Sequence, residues 1–203
     1  MSKRIPLRDL IDMVSCLPSL LSLRILARQS VVTGDAPISS PLPFRLREVS
    51  LDVRQGGNAF LSWLHLLPLK SLRFSGRVSE GPHGGAMEEY FRHAGDDLES
   101  LYLHIPLRWE ATKPFYLQIL PHTSKLRDLT FDCDLFPDLP EIISVLPASS
   151  LTSVTVIGSF LAGTSSQELD TGSLDAVLAG SQFATLRKFS VIGISGRSGR
   201  HGT

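Results

Sequence analysis

The chain has 203 residues, 42% of them hydrophobic, which is enough for one sizeable buried core. Its 20 lysines and arginines balance 20 aspartates and glutamates, so the bulk charge does not indicate binding to nucleic acid or to an anionic membrane. No apolar stretch reaches the roughly 20 residues that cross a bilayer, and Asp9 and Asp12 interrupt the first apolar segment, which argues against a secretory signal.

One motif recurs seven times: a leucine, two residues, an apolar residue, one residue and a second apolar residue. The first leucines are Leu20, Leu46, Leu69, Leu98, Leu126, Leu151 and Leu186. They lie 26, 23, 29, 28, 25 and 35 residues apart, at and beyond the upper end of the leucine-rich-repeat period. The apolar residues alternate as in a short strand, which predicts seven strands. Each unit is too small to bury its own apolar face and must stack on its neighbours.

The segments between these strands carry helical spacing of apolar residues. Helices are predicted at 7–17, 60–67, 87–94, 114–120, 140–146 and 174–178. Pro114 and Pro140 are expected near helix starts, where the missing N–H is tolerated, and Thr171 or Ser173 is expected to cap the last helix. Strand and helix in alternation predict an α/β leucine-rich-repeat solenoid, a horseshoe with about seven parallel strands on its concave face and helices on its convex face.

Residues 1–194 are expected to form a single domain with two irregular units. The range 27–45 carries several prolines and serines without helical spacing and is predicted to be a loop. The range 158–172 is rich in glycine, serine and threonine and is predicted to be an inserted loop. The tail 195–203 is polar and glycine-rich and is expected to be disordered.

The two cysteines, Cys16 and Cys133, are not expected to pair. Four strand steps of about 4.8 Å place them roughly 19 Å apart, whereas a disulfide needs Cα atoms within about 7 Å. We expect buried free thiols, which fit an intracellular location, cytoplasmic or nuclear. The histidines lack a second ligand at metal spacing, and no nucleotide-binding motif is found, so neither a metal nor a cofactor is expected.

The outward-pointing positions of the strands offer candidate binding residues. The middle of the predicted concave face gathers Arg73, Tyr102, His104, Asp128 and Asp132, with Glu48 and Asp52 beside them. Tyrosine and arginine are enriched among the residues that dominate protein interfaces, so this face is a plausible site for a protein partner. The alternative interpretation is a solvated sheet face with scattered charges.

The same face also carries the residues of one possible catalytic arrangement. Ser75, His104 and Asp132 occupy equivalent positions on three consecutive strands, in the order of a nucleophile, a base and an orienting carboxylate. An exposed sheet face offers no evident oxyanion donors and no pocket that excludes water. The sequence therefore favours a protein without enzymatic activity.

The run from 46 to 194 resembles the repeat regions of the F-box-like proteins of mushroom-forming fungi. The resemblance rests on strands such as Leu98-Glu-Ser-Leu101-Tyr-Leu103 and on apolar stretches that end in Leu-Pro, as at Leu120-Pro121 and Leu146-Pro147. In that family an N-terminal F-box docks onto the adaptor of a cullin-type ubiquitin ligase, and the repeats bind the substrate. No F-box precedes the repeats here, so adaptor binding is not implied for this chain.

The leading hypothesis is a non-enzymatic protein-protein interaction module, similar to the substrate-binding repeats of an F-box receptor. One alternative is a carbohydrate-active enzyme with a parallel β-helix, whose coils have a similar period but contain several strands and few helices. Another alternative is a truncated fragment without an independent function.

Overall fold

The recurring motif forms a strand at each of its seven positions in the computed structural model, which describes residues 3–33, 45–55, 57–64, 66–76, 85–105, 109–132, 138–160 and 170–195. The strands are β1 (Lys3–Pro6), β2 (Ser22–Thr33), β3 (Glu48–Gln55), β4 (Ser71–Gly76), β5 (Ser100–His104), β6 (Asp128–Asp132), β7 (Ser153–Phe160) and β8 (Lys188–Ser195). All neighbouring strands pair in parallel, and the sheet order follows the chain from β1 to β8.

Parallel pairing requires a crossover, and a helix makes it between all neighbouring strands except β2 and β3, where residues 34–44 are not described. The helices are α1 (Leu7–Ser15), α2 (Gly57–Leu64), α3 (Gly85–Ala94), α4 (Trp109–Ile119), α5 (Leu139–Ser144) and α6 (Thr171–Leu178). From α2 to α6, each helix contacts the next one along the chain. Short 3-10 turns at Gly95–Asp97, Leu120–His122, Ala148–Ser150 and Ser181–Phe183 precede β5, β6, β7 and β8. The predicted α/β class, with parallel strands alternating with helices, is confirmed.

The motif residues of successive strands lie side by side in the core. Leu72, Leu101 and Leu129 are register partners on β4, β5 and β6, and each is 1% exposed. The leading leucines Leu98 and Leu126 are buried in the same core. Full burial of one such side chain stabilises the fold by roughly 1.5–3 kcal/mol, so the regular leucine spacing holds each unit against the next.

A ladder of shared carbonyl groups joins the units where the strands begin. The carbonyl of Lys70 accepts hydrogen bonds from the N–H groups of Glu99 and Ser100, at 2.8 and 3.0 Å. The carbonyl of Glu99 likewise accepts from Arg127 and Asp128, at 2.9 and 3.1 Å. The same pattern occurs at every strand start from β3 to β8. Buried backbone groups need such partners, and here the following unit supplies them.

The region around β2 differs from the prediction. Residues 27–33, assigned to a loop, continue β2 as a strand, and the loop prediction is wrong there. The reason is β1, which the sequence analysis did not predict and whose Lys3–Pro6 pairs with Ser30–Thr33. The range 34–44 lies outside the described residues.

Two helix starts also differ from the prediction. Helix α4 begins at Trp109, so Pro114 lies inside it and not near its start. An internal proline removes a helical hydrogen bond at a cost of roughly 3 kcal/mol, which the burial of Tyr116 and Ile119 offsets. The cap of α6 is Asp170, whose carboxylate accepts a hydrogen bond from the Ser173 N–H at 3.0 Å.

The second predicted insertion and the tail are described only at their margins. Strand β7 continues to Phe160, and α6 begins at Thr171, so both ends of the 158–172 range belong to regular elements. Residues 161–169 and 196–203 lie outside the described part of the chain. Cys16 is an exposed free thiol, which corrects the expected burial; Cys133 is not among the described residues.

Candidate functional site

The candidate surface consists of side chains that alternate with the buried motif residues. On β4, Leu72 and Phe74 are buried and Arg73 between them is exposed; on β5, Tyr102 is half-buried and His104 is exposed. Successive side chains of a strand point to opposite faces of the sheet. We call the outward side the open face, and its predicted binding residues are Glu48, Asp52, Arg73, Tyr102, His104, Asp128 and Asp132.

Arg73 and Tyr102 form a stacked pair at the centre of the open face. They are register partners on β4 and β5, and the Arg73 guanidinium carbon lies 4.0 Å from the centre of the Tyr102 ring. A cation–π contact at an exposed site stabilises the pair by about 0.5–1 kcal/mol. The contact orders a long arginine side chain and lays a flat surface of aromatic and guanidinium groups across two strands.

His104 and Asp132 form a second pair beside the first. The Nδ1 atom of His104 hydrogen-bonds the Oδ2 atom of Asp132. Beneath the sheet, the Tyr116 hydroxyl donates a hydrogen bond of 2.7 Å to the Asp132 carbonyl, and the Tyr116 ring packs edge-on against Phe131 at 5.0 Å. Asp132 is thus held on the core side through its backbone carbonyl and on the open face through the hydrogen bond to His104.

The three remaining acidic residues lie on the same face as these pairs. Asp52 lies at the same register level as His104, with Ser75 on the strand between. Glu48 on β3 and Asp128 on β6 are three strands apart, about 14 Å at the usual strand spacing. All seven predicted residues therefore lie on one face, where contacts join Arg73 with Tyr102 and His104 with Asp132.

The possible catalytic arrangement of Ser75, His104 and Asp132 is only partly assembled. His104 contacts Asp132, as a base contacts its orienting carboxylate, and Ser75 is the register partner of His104. Yet no hydrogen bond joins the Ser75 hydroxyl to His104 in the described part of the chain. A serine becomes a nucleophile when its base is within hydrogen-bonding reach, and this contact between Ser75 and His104 is the one that the arrangement lacks.

Tyr116 is the supporting residue that the sequence analysis missed. It lies on α4, three residues before the buried Ile119, and is itself fully buried. Spacing of three residues indicates a shared helix face, so the sequence did carry a signal for its burial. The hydrogen bond to the Asp132 carbonyl depends on how α4 docks on the sheet, which the spacing does not specify.

In the described ranges, no three histidine, cysteine, aspartate or glutamate side chains cluster so that they could hold a metal ion. None of the helices in those ranges is long and apolar enough to cross a membrane. No protein-family model, curated protein or solved structure matches the chain. The case for a function therefore rests on the chain's own residues.

Proposed function

We propose that the chain is a non-enzymatic protein-binding module of the leucine-rich-repeat type, which binds a partner protein across the open face. The sheet order follows the chain, and a helix separates every pair of neighbouring strands except β2 and β3, between which residues 34–44 are not described. This order supports a solenoid whose concave wall is the open face. In the F-box proteins that the chain resembles, the repeats bind the substrate of a ubiquitin ligase. The resemblance therefore supports a partner that binds the repeats in the same way as such a substrate.

The observation that carries the proposal is the Arg73–Tyr102 stack at the centre of the open face. Tyrosine and arginine are the residue types that most often dominate binding energy at interfaces. An arginine already ordered by stacking loses less side-chain freedom on binding, which lowers the entropic cost of association. The stack is therefore a suitable anchor for a partner.

The charges around the stack indicate the chemistry of the partner. Four carboxylates belong to the open face, those of Glu48, Asp52, Asp128 and Asp132. Besides Arg73 at its centre, the face carries the permanent positive charges of Arg24 on β2 and Lys188 on β8. Complementary charges steer association and fix the register of an interface. The partner surface should thus present an apolar or aromatic group to the stack, with basic side chains opposite the four carboxylates.

The β-helix alternative has less support. That fold places several strands in each coil and contains few helices, whereas the described part of the chain has one strand per motif and helices in the connections. In a β-helix enzyme, further stacked strands take the place that these connecting helices occupy here, so the described elements do not match that fold.

The proposal is tested with the double variant Arg73→Ala/Tyr102→Ala and the matched helix-face variant Glu89→Ala. Each protein is used to capture partners from a fungal extract, and the captured proteins are then produced and titrated individually. We expect the double variant to weaken binding of a direct partner by about 2 kcal/mol or more, roughly 30-fold, and Glu89→Ala to leave it within about twofold.

Circular dichroism must show that the wild type and both variants are folded. Equal losses in the double variant and in Glu89→Ala would contradict the placement of the site. A parallel titration with the ligase adaptor tests whether the chain binds the adaptor itself. No binding is expected, since the sequence contains no F-box motif, which is the segment that binds the adaptor in the family that the chain resembles.

A further inference from the structure

A pocket lies at the edge of the sheet where β6, β7 and β8 begin, away from the open-face stack. Its volume is about 430 Å³. Arg127, Thr152 and Arg187, the residues directly before the three strands, form its base, and Ser150, Ala184 and Thr185 complete the lining. The lining thus contains two cations and no carboxylate.

The two arginines are exposed, and neither guanidinium has an ion-pair partner within the described part of the chain. The equivalent edge of the neighbouring units is different. There, Lys70 and Glu99 occupy the same motif position on adjacent strands and pair at 3.3 Å. Arg127 is next along this column, but the Glu99 carboxylate is directed to Lys70. From β6 to β8 the column continues as arginine, threonine and arginine, so its positive charge is not compensated.

The backbone that holds the arginines is fixed by bonds between units. The carbonyl of Arg127 accepts from the Thr152 N–H at 2.8 Å, and that of Thr152 accepts from the Arg187 N–H at 2.9 Å. Three hydroxyl groups add to these bonds: Ser150 donates to the Leu126 carbonyl, Thr152 to the Arg127 carbonyl and Thr185 to the Leu151 carbonyl, at 2.9–3.0 Å.

Because these hydroxyl protons are already donated inward, the donors free to bind a ligand are those of the guanidinium groups. Each guanidinium carries five N–H donors in a planar fork that matches the oxygens of a phosphate. Arg127 and Arg187 start two strands apart, about 9.6 Å at the usual spacing, with only the short Thr152 between them. Their long side chains can converge on one group above Thr152.

We propose that the pocket between Arg127 and Arg187 binds a phosphoryl group. A phosphate monoester carries nearly two negative charges at neutral pH, which match the two guanidinium groups, whereas a carboxylate carries only one. The group is either a free small phosphate or a phosphorylated side chain of a peptide. The site is separate from the open face and does not depend on the proposed function.

The test is isothermal titration of the full chain, at low salt, with inorganic phosphate, with a short phosphoserine peptide and with acetate. The variants are Arg127→Gln, Arg187→Gln and both together. Arg8→Gln, which removes an exposed arginine on α1, is the matched control for charge. We expect the wild type and Arg8→Gln to bind phosphate equally, and each pocket variant to lose about tenfold or more in affinity.

Tighter binding of the phosphoserine peptide than of inorganic phosphate would assign the site to a phosphorylated chain, and the reverse order would assign it to a small phosphate. The proposal is overturned if the wild type binds no phosphate, if the double variant binds as tightly as Arg8→Gln, or if acetate binds as tightly as phosphate. Circular dichroism of each variant confirms that it is folded.

Discussion

The two faces of the sheet are built from alternate residues of the same strands, but different factors constrain them. On the buried face, Leu101 is 1% exposed and lies between its register partners Leu72 and Leu129. On the open face, the neighbouring Tyr102 is half-buried and contacts Arg73. A change on the buried face disturbs packing between units, whereas a change on the open face alters what the surface can bind. The fold and the proposed binding are thus carried by separate sets of residues.

The largest expected difference between the faces is in stability. Leu101→Ala should lower the free energy of unfolding by about 2–5 kcal/mol, because it leaves a cavity between stacked strands. Tyr102→Ala should cost about 1 kcal/mol or less, since it removes an exposed cation–π contact. Urea denaturation of the two variants gives both values. Similar losses in the two variants would contradict the separation of the faces.

A smaller effect is expected where two units approach closely on the buried side. A Cβ atom at Gly95 would lie 2.4 Å from the carbonyl oxygen of His122, in the turn of the next unit, whereas a Cβ at Gly85 meets nothing within 4 Å. Gly95→Ala should therefore cost about 1–3 kcal/mol. Gly85→Ala, the same substitution at the exposed start of α3, should be neutral or stabilising by up to about 1 kcal/mol. Thermal unfolding distinguishes them, and equal melting temperatures would argue against close stacking at Gly95.

Two buried tyrosines test how the buried face supports the open face, because one of them bonds to a strand residue whose side chain belongs to the open face. The Tyr116 hydroxyl donates to the Asp132 carbonyl, whereas the Tyr90 hydroxyl has no hydrogen-bond partner among the described residues. Burial raises the pKa of Tyr90 above its ordinary value, and the nearby charge of Asp97 raises it further. Tyr116→Phe should lower the free energy of unfolding by about 1 kcal/mol, and Tyr90→Phe should leave it unchanged or raise it by about 1 kcal/mol.

The tyrosine pair also reports on binding. If Tyr116 holds Asp132 in place, Tyr116→Phe should weaken partner binding slightly, while Tyr90→Phe should not. The two substitutions are measured by urea denaturation and by partner titration. An equal loss of stability in both variants would show that the hydrogen bond to Asp132 contributes nothing measurable.

The smallest expected effect is a dependence on pH. Asp96, beside Gly95, accepts a hydrogen bond from the Ser124 N–H at 3.1 Å, and hydrogen bonds from Ser124 lower the pKa of Asp96 below its ordinary value of 3.8. A lowered carboxyl pKa gives stability that is fully present above the ordinary value and is lost as the pH falls through the lowered one. The difference in unfolding free energy between the wild type and Asp96→Asn should be constant near pH 7 and shrink below about pH 4. A difference that does not change with pH would refute this role of the carboxylate.

The sequence predicts the buried face well because burial imposes a periodic pattern. Leu101 and Leu103 have the two-residue spacing of a half-buried strand, and both are buried on β5; Leu98, two residues before β5, is buried with them. Elements without such a pattern are missed or misplaced. Strand β1 has no apolar alternation and forms through pairing with the distant Ser30–Thr33. Helix α4 starts five residues before Pro114, although the preference of proline for the first helical turn predicts a start near Pro114 itself.

The open face is predictable in its membership but not in its contacts. Alternation alone identifies Arg73, Tyr102 and His104 as outward residues. The pairing of His104 with Asp132 depends on the register of β5 and β6, and the support from Tyr116 depends on the docking of α4. The pocket between the arginines at 127 and 187 combines residues 60 positions apart, which no local pattern brings together.

Site-directed photo-crosslinking tests the central claim, that partners bind the open face, most directly. A benzophenone amino acid is placed at Ser100, which shares a strand face with Tyr102, or at Glu89 on the helix side, and each protein is irradiated with a captured partner. Crosslinks from position 100 and none from position 89 are the predicted result. Crosslinks from position 89 with none from position 100 would contradict the account.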